Sequence, residues 1–189
     1  GIWDIEGDIN IPLSDKWALR AFAFTREDDG FMTNPGSLSP VFEVDSNQPA
    51  DVGAFEQSGG RVVLHGDITD RVSITASARY NEYDGPVNNW AREMGTPGNL
   101  QYPFTLDTNL NPTHERETFG ARFEINAEFE NFDFKSITSY TDTESDRHTD
   151  VDLTQLWFFN TFRPETMEVL TQEFRFSSNS DGPLQWVGG

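Results

Sequence analysis

Polar and apolar side chains alternate at every second position over long stretches of this chain. The clearest stretch runs from Arg116 to Phe129, and its apolar members are Phe119, Ala121, Phe123, Ile125, Ala127 and Phe129. The intervening positions hold Thr118, Gly120, Arg122, Glu124, Asn126 and Glu128. Successive side chains of a β-strand point to opposite faces, whereas a helix would scatter both sets around its circumference. The alternation therefore predicts a strand with one apolar face and one polar face.

Similar alternation recurs along the chain and predicts about eight strands. From Arg71 to Tyr83, one face carries Val72, Ile74, Ala76, Ala78 and Tyr80. Strands with less regular patterns are predicted at 5–11, 17–26, 61–68, 132–143, 169–178 and 184–189. Phe22 and Phe24 interrupt the strand at 17–26, so its polar side is partly apolar. Because the period is two rather than 3.6, the fold class is predicted to be all-β.

The predicted connections are alternately short and long. Short connections fall at 12–16, 69–70, 130–131 and 179–183, and long ones at 28–57, 84–115 and 144–166. Transmembrane barrels have short periplasmic turns and long extracellular loops. The chain has no run of about 18 apolar residues, which excludes a membrane helix, but a barrel strand needs only about 9–11 residues of alternating polarity. The pattern favours an antiparallel transmembrane β-barrel over a soluble sandwich, because loops of this size are uncommon in compact domains.

Aromatic residues fall where a membrane barrel places its two aromatic girdles. Those beside the short connections are Trp17, Phe129, Phe132 and Trp186. Those near the long loops are Tyr80, Tyr83 and Tyr140. The alternative interpretation is that these aromatics form the core of a soluble sandwich.

Composition and charge exclude several classes of protein. The net charge is -19 and the chain has no cysteine. Nucleic-acid binding needs Lys and Arg in excess, and a disulfide framework or thiolate metal site needs cysteine. An aromatic content of 13% is too high for a disordered chain. No nucleophilic triad is visible, so the chain is not expected to be an enzyme.

Several segments resemble the barrel region of TonB-dependent receptors. They are 8–20 (DINIPLSDKWALR), 26–31 (REDDGF), 134–140 (FKSITSY) and 171–178 (TQEFRFSS), the last followed by 181–189 (DGPLQWVGG). They are similar to that family's Asn-x-Pro-Leu turn, its charged stretch closed by Gly and an aromatic residue, its Ser-Ile-Thr-x-Tyr strand, and its Gln-Glu-x-Arg-x-Ser-Ser strand with the following Trp-Val-x-Gly strand. The order and spacing of the segments carry the resemblance.

The resemblance implies a fold, a location and an activity. The family's fold is a 22-stranded barrel in the outer membrane of Gram-negative bacteria, plugged by an N-terminal domain. Residues 1–189 would then be a partial barrel domain of about eight strands, without the plug and the remaining strands. By resemblance, the whole protein would take up a scarce ligand such as a ferric siderophore or another iron chelate. Its expected partners are outer-membrane lipid, lipopolysaccharide, and the TonB complex through the missing N-terminal region; no cofactor is expected.

Two sets of residues are candidates for a functional site. The loop aromatics predicted to bind ligand are Trp90, Tyr102, Trp157, Phe158 and Phe159, because solvated loops rarely need aromatic side chains. Packing of one loop against another is the alternative for these residues. The residues predicted to face the lumen, against the plug or along the transport path, are Arg20, Arg61, Arg79, Arg122 and Glu124. An alternating acidic run at 142–152 is interpreted as a solvated loop rather than a Ca²⁺ site, so no metal site is predicted.

Two other functions stay open at this stage. Eight strands are enough to close a small barrel, which would make the protein a passive outer-membrane pore or a small structural barrel. Against this, the last predicted strand is shorter than the span that a membrane requires. The other alternative is a secreted all-β module that binds carbohydrate, which solubility without detergent would favour.

Overall fold

The computed structural model of the chain describes residues 1–34, 51–86, 108, 110–153, 158–180 and 182–189. Within these residues the secondary structure consists of strands and no helix. The strands are β1 (Ile2–Pro12), β2 (Trp17–Asp28), β3 (Met32–Thr33), β4 (Asp51–Val52), β5 (Phe55–Thr69), β6 (Val72–Gly85), β7 (Thr113–Glu128), β8 (Phe132–Asp150), β9 (Asn160–Ser178) and β10 (Val187–Gly188).

Eight of these strands form one antiparallel sheet in the order β1-β2-β5-β6-β7-β8-β9-β10. Each strand of the sheet pairs with its neighbour in sequence, while β3 and β4 pair with each other between β2 and β5. The register shifts at one place, between Asp67 and Thr69, beside the turn from β5 into β6. The prediction of an all-β, antiparallel fold is confirmed.

Most connections alternate in length, as the sequence predicts, but the last two, 151–159 and 179–186, are nearly equal in length. At one end of the sheet, called the turn end below, neighbouring strands are joined by 13–16, 70–71, 129–131 and 179–186. At the opposite end, called the loop end, the connections are 29–54, 86–112 and 151–159. The topology therefore gathers all long connections at a single end of the sheet.

The strand registers assign every side chain of the sheet to one of two faces, because residues directly opposite each other lie on the same face. One row contains Ile9, Ala21, Val62, Ala78, Ala121, Tyr140 and Leu170, and its face is called the apolar face. The adjacent row lies on the other face and contains Arg20, Val63, Ser77, Arg122, Ser139 and Thr171; this face is called the polar face. The alternation in the sequence thus becomes a separation across the whole sheet.

In the part of the chain that the structure describes, no second sheet packs on the apolar face. Val62, Phe119 and Phe123 of that face are 47%, 43% and 42% exposed. The buried apolar residues are Met32, Val52 and Ala127, of which the first two belong to the β3–β4 hairpin. A sandwich core would enclose the large apolar residues, so the sandwich interpretation does not describe this sheet.

Several strands are longer than the sequence predicts, and one predicted loop is wrong. The segment 144–166 is expected to be a long loop, but β8 continues to Asp150 and β9 begins at Asn160. The acidic run that starts at Asp142 is therefore part of a strand. Its backbone is held by continuous pairing with β9 as far as the pair Asp150 and Asn160. Alternating acidic and hydroxyl residues lack the apolar marker that identifies a strand in sequence.

The sheet is open at both sides within the described residues. β1 pairs only with β2, and β10 pairs only with the last turn-end residues of β9, Phe176 and Ser177. The predicted strand at 184–189 is therefore only two residues long. Since β1 and β10 do not pair with each other, these eight strands do not close into a small barrel. An open edge carries unpaired backbone donors and acceptors, which other strands normally satisfy.

Candidate functional site: the two faces of the sheet

Every Lys and Arg of the eight-stranded sheet lies on the polar face. These residues are Arg20, Arg26, Arg61, Arg79, Arg116, Arg122, Lys135, Arg147, Arg163 and Arg175. The four arginines predicted to face the lumen are among them, and the registers place Glu124 on the same face. The structure thus brings the whole predicted lumen-facing set together on one side of the sheet.

Glu124 is the centre of an ion-pair network on the polar face. Its carboxylate accepts hydrogen bonds from Arg122 Nη2 at 2.6 Å, Lys135 Nζ at 2.7 Å and Asn126 Nδ2 at 3.1 Å. The Glu124 side chain is only 15% exposed, whereas that of Arg122 is 50% exposed. Charge-assisted hydrogen bonds of this geometry hold side chains firmly in place. One carboxylate therefore serves two cations, and this part of the face keeps a positive charge.

Arg20 and Arg26 hold β1 against β2 through acidic partners. Arg20 Nη2 lies 3.2 Å from an Asp8 oxygen, and Arg26 Nε lies 2.7 Å from an Asp4 oxygen. All four side chains are about half exposed, so each pair contributes only about 0–1 kcal/mol to stability. Their positions still show that the acidic residues of β1 face the same side as the cations.

The apolar face carries acidic residues, but only towards the loop end. They are Glu27, Glu56, Glu82, Asp84, Glu115, Glu117, Asp142, Glu144, Asp146, Asp150 and Glu168. In each of the six sheet strands β2, β5, β6, β7, β8 and β9, the acidic residue of this face that is closest to the turn end marks a line that is called the acid border. These border residues are Glu27, Glu56, Glu82, Glu117, Asp142 and Glu168. Between the acid border and the turn end, the apolar face of these strands holds no charged residue.

The acid border crosses the strands obliquely. Glu56 lies opposite Asp84, but the border residue of β6 is Glu82, two residues nearer the turn end. Glu117 of β7 lies opposite Glu144, but the border residue of β8 is Asp142, again two residues nearer the turn end. From Glu27 to Glu168 the border moves by four residues over five strand-to-strand steps, because the directly opposed pairs Glu27–Glu56, Glu82–Glu117 and Asp142–Glu168 have no offset. With a rise of about 3.3 Å per residue and a strand spacing of about 4.8 Å, this average corresponds to strands tilted by roughly 30° from the normal to the border.

Phenylalanines form a continuous cluster at the turn end of the apolar face. Phe129 and Phe132 stack at 4.6 Å between ring centroids, and Phe132 lies 6.2 Å from Phe176. Phe134 lies 5.0 Å from Phe176 and 6.2 Å from Phe174. Phe129 and Phe132 are predicted at this end from the sequence, whereas Phe174 and Phe176 are not. Their spacing of two was a usable signal, but their contact with β8 depends on the register.

Of the residues predicted for the aromatic girdles, Trp17 lies on the apolar face, as a girdle requires, and Tyr83 does not. Trp17 lies on the apolar face directly opposite Gly66, and a Cβ at Gly66 would collide with its indole ring. Tyr83, by contrast, is opposite Gln57 and Arg116 and belongs to the polar face. Its assignment to a girdle is wrong because Tyr83 stands an odd number of residues from Tyr80, which lies on the apolar face.

The predicted loop aromatics are only partly within the described residues. Trp90, Tyr102 and Trp157 lie outside them. Phe158 is 83% exposed and Phe159 is 53% exposed, in the connection between β8 and β9. The Phe159 amide donates to Asp152 Oδ2 at 2.8 Å, and its carbonyl accepts from the Val151 amide at 2.9 Å. Hydrogen bonds thus hold the backbone at Phe159 in place, while the rings of Phe158 and Phe159 are exposed. This geometry suits contact with a ligand or a partner.

A second aromatic group lies on the polar face at the loop end. Phe55 and Tyr83 stack at 6.1 Å, His114 lies 5.6 Å from Tyr83, and the Arg116 guanidinium lies 5.9 Å from the Tyr83 ring. His114 is on the loop side of the acid border. Burial, followed by the positive charges of nearby arginines, lowers the pKa of the His114 imidazole from its ordinary value. An imidazole, a phenol and a guanidinium thus share one small surface.

Buried amide and hydroxyl groups join two of the long connections. Asn34 Nδ2 donates to Thr108 Oγ1 at 2.9 Å and to Asn111 Oδ1 at 2.6 Å. The Thr108 amide donates back to Asn34 Oδ1 at 3.2 Å. Asn34 is fully buried, and Thr108 and Asn111 are 2% and 4% exposed. Buried polar groups of this kind need their partners, so the network ties the 29–54 and 86–112 connections together.

Among the described residues, no group of three or more His, Asp or Glu side chains is arranged to hold a metal ion. The same part of the chain contains no helix that is both long and apolar enough to cross a membrane. The candidate functional surfaces are the apolar face, the polar face and the loop end of the sheet.

Comparison with known proteins identifies the fold. No protein-family model matches this chain, and no curated protein matches it. Among solved structures, the chain is similar to the ferric yersiniabactin uptake receptor FyuA from Yersinia pestis, with a TM-score of 0.74 and 16% sequence identity. The match covers 96% of this chain and 26% of the FyuA chain, so the chain spans about a quarter of that receptor. The sheet has the fold of part of a β-barrel receptor, as the sequence predicts.

Proposed function

We propose that this chain is part of the wall of a TonB-dependent receptor in the outer membrane of a Gram-negative bacterium. Its apolar face would contact lipid, and its polar face would line the interior of the barrel. The whole protein would take up a scarce ligand, an iron chelate such as a ferric siderophore, with energy supplied through the TonB complex. The likeness to a ferric siderophore uptake receptor over 96% of the chain supports this proposal.

The observation that carries the proposal is the oblique acid border on the apolar face. Strands of membrane barrels are tilted by about 35–45° from the membrane normal. A lipid boundary therefore crosses tilted strands obliquely and moves in one direction along the sheet. The border from Glu27 to Glu168 moves only towards the turn end, and its average slope corresponds to a tilt of roughly 30°, a little below that range. A soluble sheet has no reason to align its charges with an external plane.

The loop end supplies surfaces suited to an extracellular ligand. Phe158 and Phe159 are exposed in the β8–β9 connection, directly before β9 begins. The group formed by Phe55, Tyr83 and Arg116 lies on the polar face near the loop end of β5, β6 and β7. Aromatic rings and a guanidinium together bind flat organic ligands that carry negative charge. The single long-connection end of the sheet is also the end that faces outward in barrels of this kind.

Fluorescence quenching tests whether the apolar face contacts lipid. The chain has no cysteine, so a single Cys can carry a fluorophore. Ala78→Cys and Ser77→Cys are a matched pair, because they are small neighbours on opposite faces of β6. The protein that contains this chain would be reconstituted into vesicles, where brominated lipid should quench label at position 78 and aqueous iodide should not.

Labels at positions 77 and 117 show whether quenching depends on the face and on the acid border. Label at position 77 should show weak quenching by brominated lipid, because Ser77 lies on the polar face. Label at Glu117→Cys, on the acid border, should be intermediate. Equal quenching by brominated lipid at positions 77 and 78 would refute the membrane assignment.

Uptake measurements test the transport function. Cells that lack the gene should lose energy-dependent accumulation of radiolabelled iron from at least one ferric siderophore in a panel. Replacement of Phe158 and Phe159 by Ala together should raise the concentration needed for half-maximal uptake. Unchanged uptake of every chelate in the deletion strain would rule out this function while leaving the membrane assignment intact.

A further inference from the structure

Two arginines lie directly opposite each other at the middle of the polar face. Arg61 of β5 and Arg79 of β6 are cross-strand partners. Like charges placed directly opposite each other destabilise a sheet. In the described ranges, neither guanidinium has a carboxylate within ion-pair distance, although the whole chain carries a net charge of -19. The pair is thus a local excess of positive charge in an acidic protein.

The other opposed cations of the sheet show that this pair is unusual. Arg147 faces Arg163, and Lys135 faces Arg175. Arg147 bonds to Glu165 at 2.9 Å, Lys135 bonds to Glu124 at 2.7 Å, and Arg175 bonds to Glu173 at 2.7 Å. Each of those pairs therefore has at least one carboxylate of its own within the sheet, and the pair Arg61 and Arg79 has none.

The surroundings of the pair form a shallow polar cavity of about 350 Å³. Its lining includes Arg61, Arg79 and Arg122 together with the hydroxyl-bearing residues Ser77, Ser139 and Thr141. Arg79 lies across Gly120, where a Cβ would stand 2.8 Å from its Nε atom. The absence of a side chain at Gly120 lets the guanidinium lie against the sheet. Three guanidiniums and three hydroxyls thus meet at one place, which is called the arginine patch.

We propose that the arginine patch is a binding site for a small oxyanion, the carboxylate or phosphate group of a ligand that moves along the polar face. Arginine presents its N–H groups as a planar fork that matches the two oxygens of a carboxylate or phosphate. Arg61 and Arg79 supply two unoccupied forks, and the hydroxyl groups supply further donors. Binding of the anion removes the repulsion between the opposed cations.

This inference rests on the proposed function in one respect, which is that the polar face borders a transport path. It adds a chemical class, because the ligand must carry a carboxylate or phosphate group that can reach the middle of the wall. Failure of the quenching experiment would overturn the membrane assignment. Failure of anion binding in a protein that still passes the quenching experiment would overturn this inference alone.

Isothermal titration with citrate and with inorganic phosphate tests the site. The full-length protein that contains this chain would be titrated in detergent at low ionic strength, where charge interactions are least screened. R61Q/R79Q should weaken the affinity by at least about tenfold, the loss of roughly one charge-assisted interaction. R61K/R79K should give an intermediate affinity, because it keeps the charges and loses the forks. R71Q, in the turn between β5 and β6, is the matched control and should bind as the unmodified protein does.

Three results would overturn the proposal. The first is that neither anion binds the unmodified protein. The second is an equal loss of affinity in R61Q/R79Q and R71Q. The third is a lower melting temperature of R61Q/R79Q than of the unmodified protein in buffer without either anion, which would mean that a carboxylate of the polypeptide itself neutralises the arginines.

Discussion

Phe123→Arg is the substitution that most directly measures the environment of the apolar face. The uncharged part of that face on β7 runs from Phe119 to Ala127, with Phe123 at its centre. Eight residues at about 3.3 Å each span about 26 Å along the strand, or about 23 Å along the membrane normal at a tilt of roughly 30°. Phe123 would therefore lie about 11 Å from either boundary, close to the midplane.

The expected cost follows from this depth. An arginine on the lipid face of a barrel costs about 2–4 kcal/mol at the midplane and about 0–1 kcal/mol near the interface. Phe123→Arg should therefore lower the free energy of unfolding by about 2–4 kcal/mol more than Phe123→Ala does. The same comparison at Phe119, beside the acid border, should give only about 0–1 kcal/mol.

Equilibrium unfolding by urea, with the protein that contains this chain folded into lipid vesicles, provides the measurement. Both the Arg and the Ala variant lack the aromatic ring, so the difference between their free energies of unfolding reports only on the charged side chain. Phe119 and Phe123 are 43% and 42% exposed, so a soluble sheet would respond almost equally at both positions, within about 0.5 kcal/mol. Equal costs at positions 119 and 123 would refute the reasoning from depth.

Other predictions concern single contacts. Glu124→Ala should lower the free energy of unfolding by about 1–3 kcal/mol, because two cations lose their half-buried acceptor. Glu173→Ala is the exposed control and should lower the free energy of unfolding by only about 0–1 kcal/mol. Urea titration measures the free energy of unfolding of both variants. Gly66→Val should displace the Trp17 ring and shift the tryptophan emission maximum; an unchanged spectrum and stability would contradict the contact. Asn34→Ala should increase the rate of limited proteolysis within the long connections without changing the far-ultraviolet circular dichroism of the sheet, whereas an unchanged cleavage rate would argue against the buried network as the link between them.

The sequence predicts the strand pattern well because each strand carries its own two-sided chemistry. In β7, five alternating apolar positions define one face without reference to any other strand. The same holds for the segment of β6 that starts at Val72. Strand ends are predicted less well, because the loop-end half of β8 alternates acidic and hydroxyl residues. Nothing apolar marks that segment, and its pairing with β7 and β9 holds it extended.

The grouping of the predicted lumen-facing residues is half visible in the sequence. Alternation places Arg79 and Arg122 opposite the apolar side chains of their own strands. It does not show that Arg61 lies against Arg79, or that Glu124 reaches Lys135 on β8. These contacts depend on the register, which the turns and the cross-strand packing fix.

By itself, the sequence determined that this protein is an antiparallel β-sheet with one apolar and one polar face and with long connections at one end. Those features follow from a period of two and from the spacing of turns, both of which are local. Only the tertiary structure decided how the strands align. That alignment turns scattered acidic residues into one oblique border and isolated arginines into a patch, because a shift of one residue between neighbouring strands would move every side chain to the other face.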